Sequence, residues 1–376
     1  MKKIVILGAG RVGGTIARDL CKNYEVTAVD ANKNMLNFLG TKFPIKTLRL
    51  DLSDKNTIKR VAEKADLVIN ALPGFMGYAA LEAIIKAGKN LVDISFFKED
   101  PLNLDALAKS NDVTAAVDCG IAPGMANIIL GYHSKTMAIW SYECMVGGLP
   151  FVRQWPFEYK APFSPTDVIE EYVRPARYVE GGNIVIKPAL SDAELVYFKE
   201  VGTLEAFNTD GLRTLLKTYR IPDMKEKTMR YPGHIKMIQA LREAGFFERN
   251  FVEVKGLKIR PIDFTSAILF SNWQLGEKEE DFTIMRLTIR GEEKGEIKTI
   301  NYHLFDRYDK TNEISSMART TGYTCAAAAR LVIENKFNRK GICPPEYIGE
   351  NAECFGAIIN YLKQHNVIFK IKVGSK

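Results

Sequence analysis

Residues 3–13 read Lys3-Ile4-Val5-Ile6-Leu7-Gly8-Ala9-Gly10-Arg11-Val12-Gly13, a β-branched run that ends in Gly-x-Gly-x-x-Gly and leads into the helix-forming stretch Arg11 to Cys21. The glycine pattern alone is a weak signal. A strand before it, a helix after it and an acidic residue roughly twenty positions on make it a strong one. That residue is Asp30, directly after Val26-Thr27-Ala28-Val29. Gly8 permits the tight turn, Gly10 lets backbone amides approach a pyrophosphate, and Gly13 allows the helix to pack close to the strand. The reading is a dinucleotide-binding βαβ unit, with Gly8, Gly10, Arg11, Val12 and Gly13 at the pyrophosphate. A carboxylate at Asp30 accepts both ribose hydroxyls and repels a 2′-phosphate, so NAD is expected over NADP.

Working outward, Ile4 to Leu7, Val26 to Val29, Leu67 to Asn70, Leu91 to Ile94 and Val113 to Val117 alternate with helical patterns. This rhythm predicts an α/β fold, a Rossmann doubly wound parallel sheet, over residues 1–122. Ligands of such sheets sit beyond the carboxyl ends of the strands. Asp51 and Leu52 are therefore expected near the adenine, Asn70, Ala71, Leu72 and Pro73 near the nicotinamide ribose, and Asp93 and Ile94 on the same crevice. After Asp118-Cys119-Gly120-Ile121-Ala122-Pro123-Gly124 the rhythm stops, and longer, more aromatic segments follow. Ser141 to Met145, Asn183 to Ile186, Phe251 to Val254 and Phe282 to Ile289 read as strands. The last of these forms a hairpin with Ile297 to Leu304 across Arg290 to Glu296. Residues 123–320 are thus expected to form a second α+β domain, for substrate and dimerisation, on a mixed or antiparallel sheet. Residues 321–376 read as a helical segment returning to the first domain, and Cys325 to Ala329 as a small-residue helix that packs closely.

A chain of 376 residues exceeds the usual size of a single core, which agrees with two domains. Its 46% hydrophobic and 26% charged residues exclude a disordered, disulfide-scaffold or fibrous protein. The net charge of +7 is spread along the chain, so no nucleic-acid partner is expected. Six cysteines lie far apart without a Cys-x-x-Cys pair, which points to reduced thiols in a cytoplasmic protein and to no metal site. No stretch approaches the roughly 18 apolar residues of a membrane span.

Several longer motifs stand beyond the glycine loop. They are Val117-Asp118-Cys119-Gly120-Ile121-Ala122-Pro123-Gly124-Met125, Val146-Gly147-Gly148-Leu149-Pro150, Arg230-Tyr231-Pro232-Gly233-His234, Thr321-Gly322-Tyr323-Thr324-Cys325-Ala326-Ala327-Ala328-Ala329 and Lys340-Gly341-Ile342-Cys343-Pro344-Pro345-Glu346. With the N-terminal fingerprint they resemble the saccharopine dehydrogenase-like oxidoreductases over nearly the whole chain. That group includes saccharopine reductases and L-lysine 6-dehydrogenases. Saccharopine reductases tend to carry an acidic residue where Ala122 stands, a cysteine at Val146 and an arginine at Thr209; Asn208-Thr209-Asp210-Gly211-Leu212-Arg213 looks more like the lysine enzymes. The resemblance therefore implies NAD-dependent oxidative deamination of the L-lysine ε-amine to the 6-semialdehyde, which cyclises, with release of ammonium and NADH. It also implies a homodimer. The alternatives are a saccharopine or carboxylated-polyamine dehydrogenase, and a non-catalytic NAD-binding regulatory module.

Such a reaction needs lysine Cε held against nicotinamide C4, and a neutral amine, because a cation does not readily release a hydride. His234 is the candidate base, with Asp118 and Glu143 as candidates to hold the substrate ammonium. Arg213 offers paired donors to the α-carboxylate, Thr209 lies in the same segment, and Tyr159 is expected at the entrance. Each also has a plain structural reading, as a core histidine, a turn carboxylate, a surface arginine or a core aromatic.

Overall fold

In the computed structural model, which describes residues 1–161, 165–276 and 278–375, the β-branched runs of the N-terminal third become buried strands. β1 (Lys3–Leu7), β2 (Glu25–Asp30), β3 (Ile45–Arg49), β4 (Leu67–Asn70), β5 (Leu91–Asp93) and β6 (Thr114–Ala116) alternate with α1 (Arg11–Leu20), α2 (Lys33–Lys42), α3 (Lys55–Ala62), α4 (Gly74–Lys86) and α5 (Asp105–Ser110). All pair in parallel, in the order β6-β5-β4-β1-β2-β3. The chain reverses direction across the sheet between β1 and β4, which places a ligand crevice at their carboxyl ends. α2 and α3 begin where the side chains of Asn32 and Asp54 accept the first free backbone N–H groups.

The second half runs α6 (Met125–His133), β7 (Ala138–Pro150), α7 (Pro165–Val173), β8 (Ala176–Glu180), β9 (Asn183–Lys187), β10 (Glu194–Phe198), β11 (Gly202–Asn208), α8 (Leu215–Thr218), β12 (Asp223–Arg230), α9 (His234–Glu243), β13 (Val252–Val254), β14 (Leu257–Ile259), α10 (Pro261–Trp273), β15 (Asp281–Glu293) and β16 (Glu296–Arg307). It closes with α11 (Ser316–Ile333), β17 (Gly341–Cys343), α12 (Pro345–Gly349), α13 (Ala352–Gln364) and β18 (Phe369–Ser375). A mixed sheet in the order β10-β11-β12-β7-β15-β16-β18, with β8 and β9 joined to β12, forms its centre. The β12 and β7 pair is parallel and its other pairs are antiparallel.

Three sequence expectations change. The β15–β16 hairpin turns on Lys294 and Gly295 alone, at φ 56° and 80°, so pairing continues to Glu293 and Glu296. Two positive φ values give the tight turn that matches strand twist. Both edges of this hairpin are covered within the chain, by β7 and β18. The strand around Val252 belongs to the separate β13–β14 hairpin. The C-terminal segment is not only helical: β17 joins the first sheet beside β6, and β18 joins the second beside β16. Its small residues are explained by α11 lying against α1, where a Cβ on Gly322 would come to 3.4 Å from Ile16 and Thr15. Among the described residues no helix is long and apolar enough to cross a membrane.

Candidate active site

Between the two sheets lies a cavity of about 680 Å³. One half is walled by Gly8, Gly10, Arg11, Val12, Gly13, Asp30, Asp51, Leu52, Ala71, Leu72, Pro73 and Ile94, as the sequence suggested. Gly8 sits at φ +92°, and a Cβ there would fall 2.5 Å from the Ala71 carbonyl oxygen; one on Gly13 would fall 2.0 Å from that of Gly8. Gly10 has no heavy atom within 4 Å of its would-be Cβ. It is the N-cap of α1, whose unpaired N–H groups and dipole favour an anion. Asp30 accepts from Ala9 N–H at 2.6 Å and Asn32 N–H at 2.8 Å, so its carboxylate fixes the glycine loop from the cavity wall. These residues fit a dinucleotide: amide donors stand where no side chain intrudes, and a carboxylate borders the same wall. Arg11 reaches the other way, donating to the carbonyls of Leu275 and Gly276 and tying α1 to the second domain.

Asn70 and Asp93 do not reach the cavity. Both are fully buried, and Asn70 Nδ2 donates to Asp93 Oδ2 at 2.5 Å and to the Gly77 carbonyl at 3.1 Å. Burial pushes the Asp93 carboxyl well up, and the nearby Asp118 adds to the effect. The pair locks the ends of β4 and β5 behind the wall.

The second-domain candidates need correction. Asp118 lines the cavity, but its carboxylate accepts from Arg213 Nε at 3.1 and 3.0 Å. Arg213 Nη2 also lies 3.0 Å from Asp118 Oδ1, off the hydrogen-bond direction, and Nη1 donates to the Phe97 carbonyl. The guanidinium is buried and stacked 5.0 Å from Phe96, so it is not the receptor for a substrate carboxylate.

His234 is equally committed. Its Nδ1 stands 2.8 Å from the Phe157 carbonyl, which can only accept, so Nε2 accepts from the Tyr172 hydroxyl at 2.9 Å. Burial, with Arg230 nearby, lowers its pKa to about 3, and the neutral ring does not line the cavity. Tyr159 is core, its ring 4.3 Å beneath the Arg230 guanidinium. Glu143 borders a shallow depression with Glu180, Asp223, Lys225 and Arg290, away from the glycine loop.

Thr209 does line the cavity, and it introduces residues that sequence reasoning missed. Its hydroxyl donates to Glu226 Oε2 at 2.5 Å. A Cβ on Gly211 would fall 2.1 Å from the same oxygen, so the glycine makes room for the carboxylate. Burial raises the Glu226 pKa to about 8, opposed by the Thr209 hydrogen bond and reinforced by Glu171 and Asp210. Arg230 also lines the cavity; its Nη2 donates to Glu171 at 2.8 Å and its Nε to the Tyr172 hydroxyl at 3.0 Å. Asp210 is held by Arg177 at 2.8 and 2.9 Å. Glu170 from α7 and Arg174, just past its end, complete this wall.

The signal for β12 was present. In Asp223-Met224-Lys225-Glu226-Lys227-Thr228-Met229-Arg230, alternation turns Glu226, Thr228 and Arg230 to one face. Charged residues at most of its positions hid the strand.

Residues 4–116 match the family model of the saccharopine dehydrogenase NADP binding domain, and residues 117–368 that of the saccharopine dehydrogenase C-terminal domain. Mitochondrial alpha-aminoadipic semialdehyde synthase of Rattus norvegicus is 22% identical over 98% of this chain but 47% of its own length, so the chain spans about half of that relative. Carboxyaminopropylagmatine dehydrogenase of Synechocystis sp. is 23% identical over 91% of this chain and 92% of its own. The NADP+, L-glutamate-forming saccharopine dehydrogenase of Schizosaccharomyces pombe is 21% identical over 92% and 94%. Apo saccharopine dehydrogenase (L-Glu forming) from Saccharomyces cerevisiae has the same fold, with a TM-score of 0.77 over 100% of both chains at 19% identity. With both halves matched in order along the chain, the protein belongs to the saccharopine dehydrogenase family.

Proposed function

We propose that the protein is an NAD-dependent L-lysine 6-dehydrogenase, oxidising the ε-amine to the semialdehyde with release of ammonium. One observation carries the choice of substrate. The substrate half of the cavity is lined by six carboxylates, Asp118, Asp167, Glu170, Glu171, Asp210 and Glu226, against two guanidinium groups, Arg174 and Arg230. Arg213 behind Asp118, Arg177 behind Asp210 and Arg249 beside Glu170 leave six against five. An acidic cleft with low-dielectric walls concentrates cations. Lysine is a net cation, whereas saccharopine carries more carboxylates than ammonium groups and requires cationic anchors. Arg174 and Arg230 are the cavity guanidiniums that an α-carboxylate can meet.

The nicotinamide supplies the hydride acceptor, and residues 71–73 border its expected place. For the nucleotide, the Asp30 carboxylate borders the cavity beside the glycine loop and its charge would oppose a 2′-phosphate, which supports NAD although the matching family model is named for NADP. A second reading draws on the same acidic surplus and on the relative named for carboxyaminopropylagmatine: a carboxylated polyamine as substrate.

The deciding experiment follows NADH absorbance with NAD and L-lysine at alkaline pH, with saccharopine, carboxyaminopropylagmatine, ornithine and NADP as substitutions and ammonium measured in parallel. Turnover of lysine with ammonium release establishes the reading. Activity with another compound alone replaces it, and silence with all of them returns the regulatory-module reading. A homodimer in the cytoplasm belongs to the same proposal; six buried, unpaired cysteines support a reducing compartment, and sedimentation velocity tests the dimer.

A further inference from the structure

We propose that Glu226 is the residue that takes the proton from the substrate amine, an inference that rests on the amine-oxidising reading above. The carboxylates around it are committed to guanidinium partners: Glu171 to Arg230, Asp210 to Arg177, Asp118 to Arg213, and Glu170 to Arg249 at 2.6 Å. Glu226 is held by neutral donors instead, the Thr209 hydroxyl and the Gly211 N–H. The ionisable groups facing it are Glu171 from α7, Asp210 beyond β11, and Tyr142 and Cys144 from β7, with Arg230 further along its own strand. The main influences on its carboxyl are burial, Thr209, Glu171, Asp210 and Gly211, none of them a cation. A carboxyl so placed gains its charge reluctantly and accepts a proton readily.

The substrate arrives as an ammonium ion; one N–H bond breaks, an O–H bond forms on Glu226, and nitrogen keeps the electron pair. That pair forms the C=N bond as the C–H electron pair leaves for the nicotinamide, so carbon loses two electrons and the dinucleotide gains them. Water then adds to the carbon, ammonium departs, and the proton on Glu226 passes to solvent as the single proton released overall. Thr209 keeps the carboxylate aimed, and Gly211 leaves it room.

The test compares wild type, Glu226→Gln and Thr209→Val. Calorimetric titration of L-lysine into the enzyme–NADH complex at pH 7, in buffers of different ionisation heat, should show about one proton released by wild type and none by Glu226→Gln. In turnover, kcat/KM should rise through pH 8 in wild type. Glu226→Gln should lose that limb and roughly 10²-fold or more in kcat, with NADH affinity unchanged. Thr209→Val removes a donor that favours the charged form, so its limb should move to higher pH; this variant decides the matter if Glu226→Gln does not fold. An unchanged limb and unchanged proton release in the variants overturn the role of Glu226 while leaving the lysine reading intact. Turnover of a different amine with the limb lost in Glu226→Gln keeps the role and replaces lysine. Absence of turnover with every amine overturns both.

Discussion

Asp118 and Arg213 form a buried ion pair that joins the end of the first sheet to the second half of the chain, and both residues sit at positive φ, 54° and 49°. Such a pair is better evidence for specificity of arrangement than for stability, because desolvation offsets the attraction. Breaking one side is another matter. Arg213→Met should destabilise the protein by about 3–5 kcal/mol, since it leaves a buried carboxylate without its partner. Asp118→Asn, which tolerates the same backbone angle, should cost a comparable amount. In the double variant the two losses should be far from additive in urea unfolding. Additive losses would show that the two side chains do not act as a pair.

Gly10 and Gly13 belong to one motif but answer to different neighbours. A methyl group on Gly13 meets the Gly8 carbonyl at 2.0 Å, whereas one on Gly10 meets nothing within 4 Å in the protein. Gly13→Ala should therefore lower the thermal midpoint sharply. Gly10→Ala should leave it unchanged and still weaken dinucleotide binding by at least roughly 10-fold, because its methyl enters the space reserved for the pyrophosphate. Fluorescence titration with NADH beside a melting curve separates the two effects; normal NADH binding by Gly10→Ala would place the pyrophosphate elsewhere.

The first half of the cleft was legible because the βαβ unit ties its function to local sequence. Strand, glycine turn, helix and Asp30 follow one another within a single stretch, and each position has its own steric or electrostatic reason. The second half was not, because its residues converge from β7, α7, the segment after β11, β12 and α11, and meet only in the tertiary fold. His234 and Arg213 drew attention as rare or charged residues within motifs. In the structure their polar groups are used up by Phe157, Tyr172 and Asp118. Arg230 stood in the same motif as His234, four residues earlier, and its strand's alternation was the usable clue.

Asp30 holds two backbone N–H groups, one on each carboxylate oxygen, and borders the cavity. Asp30→Asn keeps an acceptor for one of the two N–H groups and removes the repulsion of a 2′-phosphate. The ratio of kcat/KM for NAD over NADP should fall by roughly 10-fold or more, since opposing like charges costs several kcal/mol. A ratio unmoved by this change would assign nucleotide choice to another group.

Tyr172 links Arg230 to His234, accepting from Arg230 Nε at 3.0 Å and donating to His234 Nε2 at 2.9 Å. Tyr172→Phe should leave Arg230 tethered to Glu171 but freer to swing. The expected result is a rise of about 10-fold in KM for the amino acid with little change in kcat, in keeping with the roughly 1.5–3 kcal/mol of a hydrogen bond to a charged group. The same chain predicts a pH effect on stability. His234 in the fold protonates only near pH 3, whereas an unfolded histidine does so near 6.5. Between these values the unfolded state binds more protons, so stability is lost as pH falls through the window. His234→Asn should flatten that part of the stability profile and leave the alkaline limb of activity where it was. If the alkaline limb moved instead, His234 would be exchanging protons with the substrate, and its place behind Arg230 would not be its role.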